Sequence, residues 1–218
     1  MTVDIINRVV ARTLNNLEPH LIRHVSLNTS TERFLTSWQI KQAARAVARG
    51  GVIAYPTEAV FGLGCDPWNS AAIARIMQLK RRKLSKGLIL IAADKAQLEP
   101  FIRFPNRAVL ERVCSTWPGP VTWVLPACAG IPRGLRGDHQ SLAVRVTAHP
   151  LARALCTLTG ALVSTSANPS GCPPARCIQR VRSYFKNTLD YILPGELGQE
   201  SSPTEIRDAL TGEVLRPS

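Results

Sequence analysis

Four places in this 218-residue chain carry side chains that could handle an anion. The densest positive charge is Lys80-Arg-Arg-Lys-Leu-Ser-Lys86-Gly87. Cations at the end of a helix suit its dipole by roughly 0.3–1 kcal/mol each. Neighbouring cations also repel, and a phosphate would relieve them through charge-assisted hydrogen bonds of roughly 1.5–3 kcal/mol. A solvated helix end is the alternative reading. The second place is Tyr55-Pro-Thr-Glu58, where an apolar run ends in a hydroxyl and a carboxylate and is soon followed by Gly62 and Gly64. The third, Ser164-Thr-Ser-Ala-Asn168-Pro-Ser-Gly171, is another apolar run emptying into small hydrogen-bonding side chains. Ordinary turns use the same residues. The fourth is Arg145, alone in the apolar run Leu142 to Val146. A buried guanidinium is costly unless paired, so Arg145 needs either a ligand carboxylate, which its planar fork suits, or an internal Asp or Glu. Thr122, after the rigid turn Trp117-Pro-Gly-Pro, is a further candidate hydroxyl donor.

The elements that must position these groups follow from periodicity. Val52 to Tyr55 reads as a buried strand that stops at Pro56, which cannot donate to a ladder. Residues 59–64 read as an apolar, glycine-bearing connection, with or without a ligand. Strands are also expected at Leu88–Ala92, Val121–Leu125, Leu142–Val146, Ala161–Ser164 and Leu189–Leu193, with a hairpin over 203–216. Helices are expected from Thr36, whose spacing to Gln39 fits a capping box, to the stop at Gly50-Gly51. Others cover Ser70–Leu79, the stretch from Asn106 to Cys114, Pro150–Thr159 and Ile178–Phe185, with a short one capped by Asp94 and Gln97. Met77, Trp117 and Trp123 fit the core. Gly130 to Gln140, with Arg133 and Arg136, reads as an exposed loop. Strands alternating with helices make this an α/β fold, in which ligands sit beyond the carboxyl ends of strands. Neither a Walker loop nor a Rossmann fingerprint occurs.

A length of 218 residues is enough for one sizeable domain, and a net charge of +12 suits partners carrying phosphate, as a nucleotide or along an RNA backbone. The six cysteines form no C-x-x-C pair and accompany only four scattered histidines, which argues against zinc and for reduced thiols in a cytoplasmic protein. No apolar run approaches the roughly 20 residues of a membrane span. Residues 1–33 place Val3, Ile6, Val10, Leu14, Leu17 and Leu21 at helical spacing without the apolar core of a secretory signal. They read as an extension dispensable for chemistry, with the domain proper over 34–218.

Taken in order, Tyr55-Pro-Thr-Glu-x-x-Phe-Gly-Leu-Gly-x-Asp66, Lys80-x-Arg82, Trp117-Pro-Gly-Pro-x-Thr122, Val144-Arg145 and Ser164-Thr-Ser-Ala-Asn168-x-Ser-Gly171 resemble the YrdC/Sua5 family, in its single-domain form. The match runs from about Thr36 to the C-terminus, with no room after Ser218 for a long second domain. The resemblance implies one twisted, mixed α/β sheet with flanking helices and a basic groove. It implies condensation of L-threonine, bicarbonate and ATP, with Mg²⁺ on the nucleotide, to threonylcarbamoyl-adenylate and pyrophosphate. TsaD/TsaB/TsaE-type proteins would then carry the group to adenosine 37 of ANN-decoding tRNAs, and the groove could also touch RNA.

Carried over residue by residue, Lys80, Arg82, Ser166 and Asn168 fall on the nucleotide and carbonate site. Thr122 and Ser164 fall near ATP; Thr57, Arg145, Lys86 and Thr204 fall around threonine. No protein metal ligand is implied. The chain departs from the family pattern at Phe61, where tyrosine is frequent, at Lys83 and Gly87, where proline is common, and at Pro203-Thr-Glu in place of Pro-Ser-Thr. Two rival readings are a pure RNA-binding module and a carbamoyl-phosphate-consuming enzyme.

Overall fold

Among the described residues nine strands form one mixed sheet, whose edge strands are Tyr191–Ile192 and Val214–Arg216. The computed structural model describes residues 37–218. The extension over 1–33 and Thr36 of the expected capping box lie outside the described residues.

In chain order the strands are β1 (Ile53–Pro56), β2 (Phe61–Gly64), β3 (Ile89–Ala92), β4 (Val121–Pro126), β5 (Ser141–Val146), β6 (Leu162–Ser166), β7 (Tyr191–Ile192), β8 (Glu205–Asp208) and β9 (Val214–Arg216). Across the sheet their order is β7-β1-β2-β6-β3-β5-β4-β8-β9. The helices are α1 (Ser37–Ala48), α2 (Ser70–Lys80), α3 (Arg107–Cys114), α4 (Arg133–Arg136), α5 (Pro150–Thr159) and α6 (Ile178–Phe185). Helix starts follow side-chain caps: Asn69 accepts from the amide of Ala72, Asn106 from that of Val109, and His149 Nδ1 from that of Ala152. Asp94 and Gln97 hold the short turn that follows β3.

Three sequence expectations are corrected. The glycine-bearing stretch after Val60 is a strand: Phe61 to Gly64 pairs antiparallel with β1, so only Thr57–Val60 turns. The glycines are required by packing. A Cβ on Gly64 would lie 2.7 Å from the ring of Tyr55 and 2.8 Å from the carbonyl of Val163. Next, β6 runs two residues past Ser164, so Ser164 and Ser166 both sit inside a strand. Finally, 130–140 is not simply an exposed loop. Leu135 is fully buried in α4, and its carbonyl accepts from the Leu88 amide, tying this segment to the start of β3.

Apolar layers cover both faces of the sheet. One core joins α2 and α3 to Leu90, Val144, Val163, Trp123 and Leu125; another joins α1 and α5 to Ile53, Tyr55, Ile91 and Leu162. Side chains alternate along a strand, and laterally paired residues share a face. Register therefore puts Tyr55, Gly62, Ser166, Ser164, Ile89, Ile91, Ala143, Arg145, Thr122, Val124 and Ile206 on the α1/α5 side. The two helices cover only part of that face. The uncovered part is the site.

Candidate active site

Two adjoining cavities lie over the uncovered part of the sheet. The first, about 290 Å³, is lined by Thr57, Gly62, Ser164, Ser166 and Thr204 with Arg82, Arg145 and Arg216, and is walled by Ala59, Val60, Pro174 and Pro203. The second, about 460 Å³, takes in Lys86, Arg136, His139, Ser141, Ala143, Ile206, Asp208 and Leu215. Arg82, Leu88, Ile89 and Arg216 line both and so mark the passage between them. The site lies only partly beyond the carboxyl ends of strands: Thr57 follows β1 and Ser166 ends β6, but Ile89 opens its strand and the cavities spread across the sheet's face.

Arg145 illustrates how the sequence places a charge. It projects from β5 toward the first cavity yet is only 5% exposed. Its Nη1 donates to Thr204 Oγ1 (2.8 Å) and Thr122 Oγ1 (3.3 Å), and its Nη2 to Glu58 Oε2 (3.1 Å). The internal ion pair of the sequence reading is present, with Glu58, and the guanidinium also borders a cavity. Its buried Nε has no hydrogen-bond partner among the described residues. Glu58 Oε1 accepts from Thr147 Oγ1 at 2.6 Å. Burial alone would raise the Glu58 carboxyl, but the Arg145 charge and the Thr147 hydroxyl outweigh it and hold it below the usual carboxylate range.

Lys80 ends α2 and is 3% exposed. Its Nζ donates to the carbonyls of Ser166 and of Asn168, the latter at 2.9 Å. Burial, and then the charge of Arg82, push its ammonium down to about 8. Lys80 thus stands behind the cavity wall and ties down the end of β6. Arg82 follows the left-handed residue Arg81 and folds back so that its Nε and Nη2 reach the Gly87 carbonyl. Burial lowers its pKa. Arg216, on the edge strand β9, donates to the Thr204 carbonyl; burial, Arg145 and Arg82 in turn lower it.

Of the sequence-predicted residues, Thr57, Arg82, Arg145, Ser164, Ser166 and Thr204 come together on the first cavity, while Lys86 lines the second, away from Thr57 and Arg145. Thr122 is fully buried behind Arg145, sharing a 3.4 Å hydroxyl contact with Thr204. Asn168 gives its Nδ2 hydrogens to the carbonyls of Pro169 (3.0 Å) and Cys172 (2.7 Å), leaving its buried Oδ1 without a partner. Its side chain therefore has an acceptor to offer, and it lines neither cavity. Sequence reasoning missed Thr147 and Arg216, and it marked the Glu58 carboxylate without pairing it to Arg145. An arginine closing a C-terminal hairpin carries no local signal, although a strand register would have aligned Arg216 with Ile206.

Among the described residues no helix is long and apolar enough to cross a membrane, and no group of three or more His, Cys, Asp and Glu could hold a metal ion. The chain matches the Sua5/YciO/YrdC family model, which carries the description telomere recombination, over residues 45–218. It is 58% identical over 181 residues to a threonylcarbamoyl-AMP synthase of Nitrosococcus oceani, covering 83% of this chain and 98% of that one. It is 52% identical over 184 residues to the Pseudomonas aeruginosa protein of the same name, covering 84% and 100%. Among solved structures it is similar to P. abyssi Sua5 complexed with L-threonine (TM-score 0.77, 31% identity, 83% of this chain), of which it spans only 54%. E. coli YciO aligns with TM-score 0.70 and 27% identity over 79% of this chain and 84% of the other. The chain belongs to the Sua5/YciO/YrdC family.

Proposed function

We propose that the protein is a threonylcarbamoyl-AMP synthase, a nucleotidyltransferase that condenses L-threonine, bicarbonate and ATP into threonylcarbamoyl-adenylate, pyrophosphate and water. The observation that carries this reading is the convergence of Arg82, Arg145 and Arg216 with the hydroxyls of Thr57, Ser164, Ser166 and Thr204 on one cavity that opens into a second. Of these three guanidiniums only Arg145 is paired with an acid among the described residues, Glu58 behind it, so the cavity holds uncompensated positive charge and favours anions. Support also comes from the name shared by relatives at 58% and 52% identity.

In this reading threonine occupies the first cavity with its carboxylate toward Arg145 and Thr204, and Thr57 beside it. The threonine amine and bicarbonate give a carbamate, with loss of water. A carbamate oxygen then attacks the α-phosphorus of ATP, the new O–P bond forming as the bond to the pyrophosphate oxygen breaks. The carbamate is already an anionic nucleophile, so no serine, cysteine or histidine need attack. ATP lies toward the second cavity, putting its α-phosphate in the passage between Arg82 and Arg216. Ser164 and Ser166 donate to phosphate or carbamate oxygens, and Lys80 holds the Ser166–Asn168 segment that presents them. Holding the reactants together contributes roughly 7–11 kcal/mol, and fixed cations at developing charge contribute more. Mg²⁺ bound with ATP would supply charge neutralisation to the leaving pyrophosphate. Asn168 Oδ1 is an acceptor that suits a cation or a ligand N–H. The product serves TsaD/TsaB/TsaE-type proteins, which transfer the group to adenosine 37 of tRNA.

The test mixes the protein with ATP, Mg²⁺, bicarbonate and labelled L-threonine. Pyrophosphate release that requires both threonine and bicarbonate, with label in an adenylate, is expected. Salt-sensitive RNA binding without that release would overturn the reading.

A further inference from the structure

The geometry points to Glu58 as a positioning residue that, braced by Thr147, fixes the plane of the Arg145 guanidinium for recognition of the amino-acid carboxylate. This rests on the function proposed above and adds to it a residue that never touches substrate. Glu58 is 6% exposed and lines neither cavity. Both of its oxygens are occupied: Oε2 by Arg145 Nη2 at 3.1 Å, Oε1 by Thr147 Oγ1 at 2.6 Å. The Thr147 hydroxyl is itself set by the amide of His149, which it accepts at 3.1 Å. A chain of bonds therefore runs from the start of α5 through Thr147 and Glu58 to the guanidinium.

On its other side Arg145 is held, among the described residues, only by hydroxyls, Thr204 and Thr122. Hydroxyls rotate and fix a donor's direction weakly; a carboxylate braced at both oxygens does not. Without Glu58, the guanidinium would keep its charge but not its orientation. A fork must be presented in one plane to meet a carboxylate with two hydrogen bonds.

A purely structural role for this pair makes different predictions. The segment that walls the first cavity is tied to this region through backbone, the Gly198 amide to the Thr57 carbonyl (3.0 Å) and the Glu200 amide to the Glu58 carbonyl (3.1 Å). Side-chain changes at Glu58 leave those bonds in place. A counter-charge role also differs in sign. If Glu58 only neutralised Arg145, removing its charge would strengthen binding of an anionic carboxylate, whereas loss of positioning weakens it.

The test compares wild type with Glu58→Gln and with Thr147→Val, the latter keeping every charge and nearly every atom. Steady-state pyrophosphate release gives the KM for L-threonine and kcat at saturating threonine; L-threoninamide, which lacks the carboxylate but keeps the amine, is measured as a competitor of labelled L-threonine by formation of the labelled adenylate. The expected result is a threonine KM raised on the order of tenfold in both variants. The threoninamide inhibition constant and the ATP KM stay close to wild type. An unchanged or lowered threonine KM in Thr147→Val, or in a folded Glu58→Gln, overturns the inference, whatever happens to the melting temperature. Equal weakening of threonine and threoninamide overturns it as well. A wild-type protein that makes no threonine-dependent pyrophosphate overturns the underlying function instead, so the two failures are distinct.

Discussion

Replacing Lys80 with methionine should separate stability from activity, because the protein keeps this ammonium at a cost. A lysine's ordinary 10.5 falls to about 8 here, through burial first and the Arg82 charge second. At ~1.4 kcal/mol per pH unit the drop corresponds to about 3 kcal/mol of penalty on the charged form. Against it stand charge-assisted bonds to the Ser166 and Asn168 carbonyls, at roughly 1.5–3 kcal/mol each. Lys80→Met loses the bonds and sheds the penalty, so at neutral pH it should destabilise by no more than about 3 kcal/mol.

The pH dependence has a definite sign. The folded-state pKa lies below the unfolded one, so the penalty is fully present below about pH 8 and is lost as the pH rises toward 10.5. In that window the unfolded chain binds the extra proton, and stability rises with pH. Relative to Lys80→Met, the wild type should gain about 2 kcal/mol between pH 7.5 and 9.5. Activity should behave differently: without the cation that ties down Ser166, turnover should fall on the order of a hundredfold or more. Urea denaturation at the two pH values, with pyrophosphate release at pH 7.5, measures both quantities. A variant with turnover within tenfold of wild type, or a stability gap that does not widen with pH, would refute the reasoning.

In the wild type the ATP KM should rise as the pH passes 8 and Lys80 loses its proton, a dependence that Lys80→Met should flatten; KM measured from pH 7 to 9.5 decides this. Arg82→Ala removes a guanidinium from the passage shared by both cavities and should cut pyrophosphate release by roughly 10²–10³-fold without loss of fold, checked by kinetics beside circular dichroism. Gly64→Ala forces a Cβ to 2.7 Å from the Tyr55 ring and 2.8 Å from the Val163 carbonyl. It should destabilise by about 1–3 kcal/mol or more, and an unchanged thermal midpoint would contradict it.

What the sequence exposed depended on whether a residue's task was local. The caps at Asn106 and Asp94, the helix over Ile178–Phe185 and the arginine stranded in an apolar strand all declare themselves within a few residues, and the structure has them. The Phe61–Gly64 strand did not. Its glycines resemble turn residues, and only the Tyr55 ring lying across them explains why a strand needs no side chains there. Arg216 was equally silent, since its place beside Arg82 is made by a hairpin pairing with a strand far earlier in the chain. Glu58 was visible as a carboxylate beside Thr57, but its partners lie 87 and 89 residues away.

The same distinction explains why the site lies on the sheet's face. Strand alternation puts Ser164 and Ser166 on one side of β6, Ala143 and Arg145 on the same side of β5, and Thr122 and Val124 on that side of β4. On a fully covered face these positions would be apolar, as Ile91 and Leu162 are beneath α1 and α5. Where the helices stop, the strands carry hydroxyls and guanidiniums in place of Val and Leu. A polar side chain in mid-strand forfeits hydrophobic burial and is tolerated only if paired or wet. Its recurrence on β6, β5 and β4, with the apolar Ile89 and Ile91 of β3 lying between the first two, is what a layer completed by a ligand and not by a helix would require. A hydrophobic substitution there, such as Ser164→Val, should leave the fold intact or firmer while raising the KM for substrate. If instead it unfolded the protein, the hydroxyl would belong to the core, and the division of this face between helix and ligand would be wrong.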